Sequence, residues 1–160
     1  MLDKIKLIVY DFDGVMTNNT AIVDQNGQES VIVNRSDGLA ISELKKLGYE
    51  QIIISTETNP VVQKRAEKLK IYCLNGIEDK LITLKEYLNT NRIDKNRVLY
   101  VGNDINDFEV MKYVGIPVSP LDAYSIVQDI SKIVINKNGG DGVIRELYEL
   151  IKTKNENVNQ

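Results

Sequence analysis

The chain has 160 residues, 42% of them hydrophobic, which is enough for one ordinary core and one domain. Its net charge of -3 and pI near 5.1, with Lys and Glu interleaved, offer no basic face for nucleic acid or an anionic membrane, so a small-molecule partner is expected. Histidine is absent, which excludes Ser-His and Cys-His nucleophile pairs and imidazole zinc sites; catalysis has to run on carboxylates, lysines, hydroxyls or a hard metal.

No apolar run approaches membrane-spanning length, and the one in "MLDKIKLIVYDFDG" is too short for a signal-peptide core, so a cytoplasmic protein is expected. The single cysteine, Cys73, rules out an internal disulfide and reads as a core thiol in the strand-like run "KIYCL".

In chain order, buried-strand patterns fall at 5–10, 51–55, 71–74, 98–101, 116–118 and 133–135. Helix patterns lie between them at 38–47, 60–70, 78–90, 106–113, 122–130 and 142–153. Asn59-Pro60 is a helix-start signal and Gly48 after "KKL" a helix-end signal. This alternation predicts an α/β fold with a doubly wound, Rossmann-like parallel sheet. Residues 20–33, "TAIVDQNGQESVIV", break it: two strand-like runs around Asn26-Gly27 predict an inserted β-hairpin. A single domain over 1–153 and a frayed polar tail at 154–160 complete the expected organisation.

In an open α/β sheet, ligands bind where the strands end. The first strand runs into Asp11, Asp13 and Gly14, the second into Ser55 and Thr56, and the fourth into Asn103, Asp104 and Asp107; Lys80 opens the helix before that fourth strand. Singly, each has a bland reading as a turn, a cap or a surface residue. Together, acids and an amide converging on one sheet edge would repel one another without a compensating cation. An all-oxygen donor set suits magnesium, which takes one or two carboxylates, waters and substrate phosphate oxygens. Phosphoryl transfer follows. Asp11 is the candidate nucleophile and Asp13 the acid that protonates the leaving oxygen, with Ser55 and adjacent amides for the phosphoryl oxygens and Lys80 to offset charge. The metal candidates are Asp11, Asp13, Asn103 and Asp104, with Asp107 behind them orienting Lys80 or a metal-bound water.

"DFDGVMT", "IIIST", Lys80 and "GNDIND" resemble, in order and spacing, the four motifs of the haloacid dehalogenase (HAD) phosphatase superfamily. More narrowly, "DFDGVMTNN", "NRSDGLAI", "NPVVQKRAEKLKI" and "NKNGGDGVIRELYELI" resemble its small capless branch. That branch includes 3-deoxy-octulosonate 8-phosphate and nonulosonate 9-phosphate phosphatases and the phosphatase-like domains of acylneuraminate cytidylyltransferases. The resemblance implies a HAD fold without a cap domain, magnesium, a phosphorylated keto-sugar acid as substrate, and a homotetramer whose neighbouring subunits close the site. Arg35, Asp37 and the "GGDGVIRE" segment with Arg145 are candidates for that closure; for Arg35 and Arg145 surface ion pairing is the other reading. Two residues after Ser55, the octulosonate phosphatases resemble one another in carrying Arg and the nonulosonate enzymes in carrying Glu. Here it is Glu57, with Lys68 a partner for it and Thr56 beside it, which leans toward a nine-carbon acid. One position departs from the pattern: active relatives resemble Gly-Asp-Asp where this chain has Gly102-Asn103-Asp104, which leaves a non-catalytic, oligomer-forming module of a sialic-acid pathway protein as the rival reading.

Overall fold

The computed structural model describes residues 2–158. Strand β1 (Leu7–Tyr10) is buried on both faces, as a central parallel strand requires. A hairpin follows, β2 (Ile22–Val23) and β3 (Glu29–Ser30), and then the main alternation begins. Its elements are α1 (Arg35–Lys46), β4 (Glu50–Ile54), α2 (Val61–Leu69), β5 (Tyr72–Leu74), α3 (Lys80–Asn91), β6 (Val98–Val101), α4 (Phe108–Tyr113), β7 (Ile116–Pro120), α5 (Ser125–Ile130), β8 (Ile133–Ile135) and α6 (Val143–Val158).

The sheet order is β5-β4-β1-β6-β7-β8, all parallel. The chain winds outward from β1 to β5, then returns to the other side of β1 as β6. Loops leaving β1 and β6 therefore diverge and open a crevice at their carboxyl ends. Alternate side chains of each strand feed two cores. Ile8, Tyr10, Ile53, Leu99 and Val101 pack with residues of α1, α2 and α6, and Leu7, Val9, Ile52, Ile54 and Tyr100 pack with residues of α3, α4 and α5. The fold is thus a doubly wound α/β sheet covered on both faces.

Local chemistry shifts several boundaries from the expected ones. Helix α1 begins at Arg35 rather than 38, because the Asn34 side chain caps it by accepting from Ser36 N at 2.9 Å. Helix α5 starts at Ser125 rather than 122, since residues 121–124 are held in a turn by Ala123 N donating to Pro120 O. The polar tail expected from 154 onward is helical to Val158: Thr153 Oγ1 bonds Glu149 O, and Asn155 Nδ2 reaches Tyr49 Oη at 3.1 Å. Residues 159 and 160 of that expected tail lie outside the described residues. Cys73 is half-buried, and burial raises its thiol to about 11.

The hairpin turns as Asn26-Gly27 predicts. Gly27 sits at φ 78° and Asp24 Oδ1 accepts from Asn26 N and Gln28 N. The hairpin leaves apolar residues in solvent, Ile22 63% and Ile32 67% exposed, while Val31 and Val33 pack partly against the core.

Candidate active site

Asp11 lies just past β1, its backbone N–H still bonded to Val101 O of β6. One carboxylate oxygen, Oδ1, accepts from Phe12 N at 2.7 Å and from Lys80 Nζ at 2.7 Å. Lys80 is the first residue of α3 because Asp79 caps that helix through Ile82 N. Its ammonium also donates to Asp107 Oδ1 at 2.7 Å.

Asp107 is fully buried and saturated with donors. Tyr100 Oη donates to Oδ1 at 2.8 Å, and the backbone N–H groups of Asn103 and Asp104 donate to Oδ2 at 2.9 and 3.3 Å. Gly102 makes this return possible, since a Cβ there would come within 2.6 Å of the Asp107 side chain. One buried cation thus serves two buried carboxylates and leaves a net negative charge. Burial and the nearby Asp107 push the Asp11 carboxyl up to about 8, against the opposing pull of Lys80. Burial works against charge on Lys80, yet Asp11 and Asp107 together hold its ammonium above the ordinary range.

Asp13, half-buried, accepts from Thr17 Oγ1 at 3.4 Å. Burial first and then the Glu57 charge raise its carboxyl above the usual range. Ser55 follows β4; its Oγ accepts from Glu57 N at 3.1 Å, which leaves the hydroxyl proton free to donate. Asp11, Asp13, Ser55, Thr56, Asn103 and Asp104, with Asn19 and Asn106, line one small pocket of about 70 Å³. A larger cleft of about 290 Å³ shares Asp13 and Asn19 with it and runs past Glu29, Glu57 and Asn59 to the base of the hairpin.

The Asn103 amide decides whether a cation fits here. With its NH₂ turned inward it donates to Asp13 O at 2.9 Å and Asp11 Oδ2 at 3.1 Å. With its oxygen inward, three oxygens converge with no donor among them. Ligand oxygens on adjacent corners of an octahedral magnesium site stand at roughly this separation, about 3 Å. Among the described residues no group of three or more His, Cys, Asp or Glu side chains forms a metal cluster; the convergence is of one carboxylate, one amide and one main-chain carbonyl. Surplus negative charge suits a hard divalent ion, for which the Asn103 amide turns its oxygen inward; without the ion its NH₂ satisfies the other two oxygens. Asp104 lines the same pocket, but its Oδ1 is engaged in capping its own turn at Ile105 N.

Other residues singled out in the sequence lie elsewhere in the protomer. Arg35 and Lys68 line a separate groove of about 620 Å³ between α1 and α2, together with Arg65 and Lys70, and so Lys68 and Glu57 face different cavities. Asp37 is 2% exposed and accepts from Arg145 N at 3.0 Å, so it caps α6 from α1. Arg145 pairs with Glu149 one turn along α6. Tyr100 and Asn19 were not legible as site residues: a tyrosine inside "VLYV" reads as core, and the left-handed φ of 64° at Asn19 gives no periodic signal beyond asparagine's tolerance for it.

Known proteins can be set beside this geometry. A family model described as haloacid dehalogenase-like hydrolase matches residues 50–147. The 3-deoxy-D-manno-octulosonate 8-phosphate phosphatase KdsC of Yersinia pestis is 32% identical over 149 residues, which cover 92% of this chain and 80% of that protein. A solved structure from Streptomyces avermitilis, assigned to the HAD family of hydrolases, superposes with a TM-score of 0.89 at 44% identity, covering 92% of this chain and 84% of that one. The 3-deoxy-D-manno-octulosonate 8-phosphate phosphatase of Moraxella catarrhalis, solved with magnesium, phosphate and KDO, gives 0.91 at 29% identity over 95% of this chain and 88% of that one. No helix among the described residues is long and apolar enough to cross a membrane. With its sheet order, its Asp11-Lys80-Asp107 chain and these likenesses, the protein belongs to the haloacid dehalogenase-like hydrolase family, among relatives named phosphatases.

Proposed function

We propose that this protein is a magnesium-dependent phosphomonoesterase that removes phosphate from a phosphorylated keto-sugar acid by way of an aspartyl-phosphate on Asp11. The observation that carries this reading is the convergence, in one crevice, of the Lys80-braced Asp11 carboxylate with the Asp13 carbonyl and the Asn103 amide.

An Asp11 carboxylate oxygen bonds to phosphorus as the bond from phosphorus to the sugar oxygen breaks, and Asp13 gives its proton to that departing oxygen. The raised Asp13 carboxyl suits a group that must still hold a proton when the ester arrives. A water then attacks the acyl phosphate, Asp13 takes its proton, and Asp11 and inorganic phosphate are freed. The Ser55 hydroxyl and nearby backbone amides, with Thr56, hold the phosphoryl oxygens, and Lys80 keeps Asp11 in place. Magnesium held by Asp11, the Asp13 carbonyl and Asn103, with Asp104 lining the pocket, supplies the charge that lets a phosphate dianion approach carboxylates.

The names of the relatives favour 3-deoxy-D-manno-octulosonate 8-phosphate as substrate. One observation favours a nine-carbon acid 9-phosphate instead: Glu57 lines the outer cleft, where the eight-carbon enzymes resemble one another in carrying Arg, and no Lys or Arg lines that cleft among the described residues. A carboxylate-bearing substrate is then completed by a neighbouring subunit, as a homotetramer built through the exposed hairpin provides. Arg35 and Lys68, and the outer part of Glu57, are the substrate contacts this assembly calls for.

The experiment is phosphate release with magnesium from both sugar-acid phosphates and a panel of neutral sugar phosphates. Turnover of a keto-sugar acid phosphate, abolished in a folded Asp11→Asn variant, is the expected result. Silence throughout leaves the non-catalytic module, and near-normal activity in Asp11→Asn removes the aspartyl-phosphate.

A further inference from the structure

The "GGDG" segment, residues 139–142, lies beneath the catalytic loop rather than across its mouth. Gly139 is buried, and a Cβ built on it overlaps the carbonyl oxygen of Gly14, the residue after Asp13. A Cβ on Gly140 would fall 2.6 Å from Asn18 N, and Gly140 N donates to Val15 O at 3.0 Å. The Asn103 side chain also packs so closely on Gly14 that a Cβ there would overlap its amide. Gly14 is therefore held at two points, its Cα side by Asn103 and its carbonyl, which opens the Gly14–Val15 peptide, by Gly139.

The floor is itself anchored. Gly139 N donates to Asp122 Oδ1 at 2.8 Å, and Lys137 O accepts from Leu121 N at 2.9 Å. Tyr124 N, two residues after Asp122, donates to Asn103 O at 3.0 Å. The loop after β7 thus ties Gly139 to the same Asn103 that packs on Gly14.

We infer that Gly139, with Asp122 anchoring it, is a positioning residue: it fixes the Gly14 carbonyl and so, through Gly14, the adjoining Asp13 carboxyl and carbonyl. The inference rests on the phosphatase reading above for its kinetic readout only. Catalytic groups must be held within about 0.5 Å of productive geometry, and a misplacement of about 1 Å can cost roughly a hundredfold in rate. Nothing but close approach requires glycine at 139, because its φ lies outside the left-handed region, unlike that of Gly140 at 77°.

A matched control exists. Gly115 is equally tight, its added Cβ overlapping the Asn96 carbonyl, but it packs at the start of β7, away from the site. Gly139→Ala is expected to lower kcat roughly 10- to 100-fold with KM little changed. Gly115→Ala is expected to lower the melting temperature by a similar amount and keep its kcat. If Gly139→Ala loses stability like Gly115→Ala but keeps kcat within threefold, the inference is overturned.

Should Gly139→Ala fail to fold, Asp122 decides. Asp122→Ala is expected to lose roughly three- to tenfold in kcat, and Asp122→Asn to regain it, because the amide oxygen still accepts from Gly139 N. An unchanged kcat in Asp122→Ala overturns the inference. A crystal structure of Gly139→Ala or Asp122→Ala separates this from the phosphatase reading. If the wild type is silent on every substrate that reading fails alone, and displacement of the Asp13 carbonyl by about 0.5 Å or more, against none, still decides the positioning role.

Discussion

Lys80 and Asp107 stand 27 residues apart in the chain and meet at 2.7 Å, the lysine 3% exposed and the aspartate not at all. A buried cation of this kind is tolerable only while its partners remain, since one left alone has lost its water with nothing in exchange. Asp107→Ala should leave Lys80 with Asp11 alone and deprive the Tyr100 hydroxyl and two backbone N–H groups of their acceptor at once. The expected cost is about 3–5 kcal/mol or more, a fall in melting temperature of roughly 10 °C for a domain of this size, read by calorimetry. Turnover should fall with it, because Lys80 then has one anchor instead of two. A stable, active Asp107→Ala protein would remove this network from the account.

Asn103 contributes no charge, so the site should bind magnesium weakly. An aspartate at 103 would bring a third acceptor group, charged, against Asp13 O and Asp11 Oδ2, with no NH₂ to satisfy them. Metal-free Asn103→Asp should therefore melt below metal-free wild type, and magnesium should raise its melting temperature more. In a parallel titration the variant should reach half-maximal activity at lower magnesium. If wild type shows neither bound magnesium nor turnover and the variant gains both, the natural site has lost its activity.

Asp37 gives a pH signature remote from the pocket. Burial raises its carboxyl to about 6, against hydrogen bonds from the Arg145 and Ile144 backbones and the pull of Arg65, and its Oδ2 is buried without a partner. A carboxyl whose folded pKa lies above its unfolded one adds stability that is fully present below about 4 and lost as pH rises through about 6. At pH 8 the buried charge is therefore a cost of at most about 3 kcal/mol. Asp37→Asn keeps an acceptor for Arg145 N without that charge. It should melt higher than wild type at pH 8, with the gap narrowing as pH falls and closing below about 4, whereas Asp37→Ala should stand about 1 kcal/mol below Asp37→Asn at either pH for want of the α6 cap. A gap that stays constant across this range would show that Asp37 does not titrate there.

The hairpin leads to the last prediction. Ile22, Val23 and Ile32 are each at least 60% exposed, and a two-stranded hairpin with no cover is marginal in water. Light scattering at micromolar concentration should report a homotetramer, and Ile22→Lys with Ile32→Lys should dissociate it and lower turnover together. A monomeric wild type with full activity would count against both the assembly and the neighbour's part in the site.

The alternation of buried strands and helices, the hairpin, and the clustering of Asp11, Asp13, Ser55, Lys80, Asn103 and Asp107 at strand ends were all legible in the chain. Periodicity and turn chemistry are local, and a parallel sheet brings every strand's carboxyl end to one edge whatever the strand order. What the side chains do at that edge was decided only by tertiary contact. Asp37 entered only as a candidate for closing the site, by resemblance; in the fold it caps a helix whose first turn lies more than a hundred residues away. Tyr100 looked like core and bonds Asp107. The "GGDGVIRE" segment was a candidate for closing the site from a neighbour, and only the approach of Gly139 to Gly14 shows what its lack of a side chain makes room for. Contacts between residues so distant in sequence leave no period to read; they follow from how closely loops of different strands pack, and that distance exists only in the folded chain.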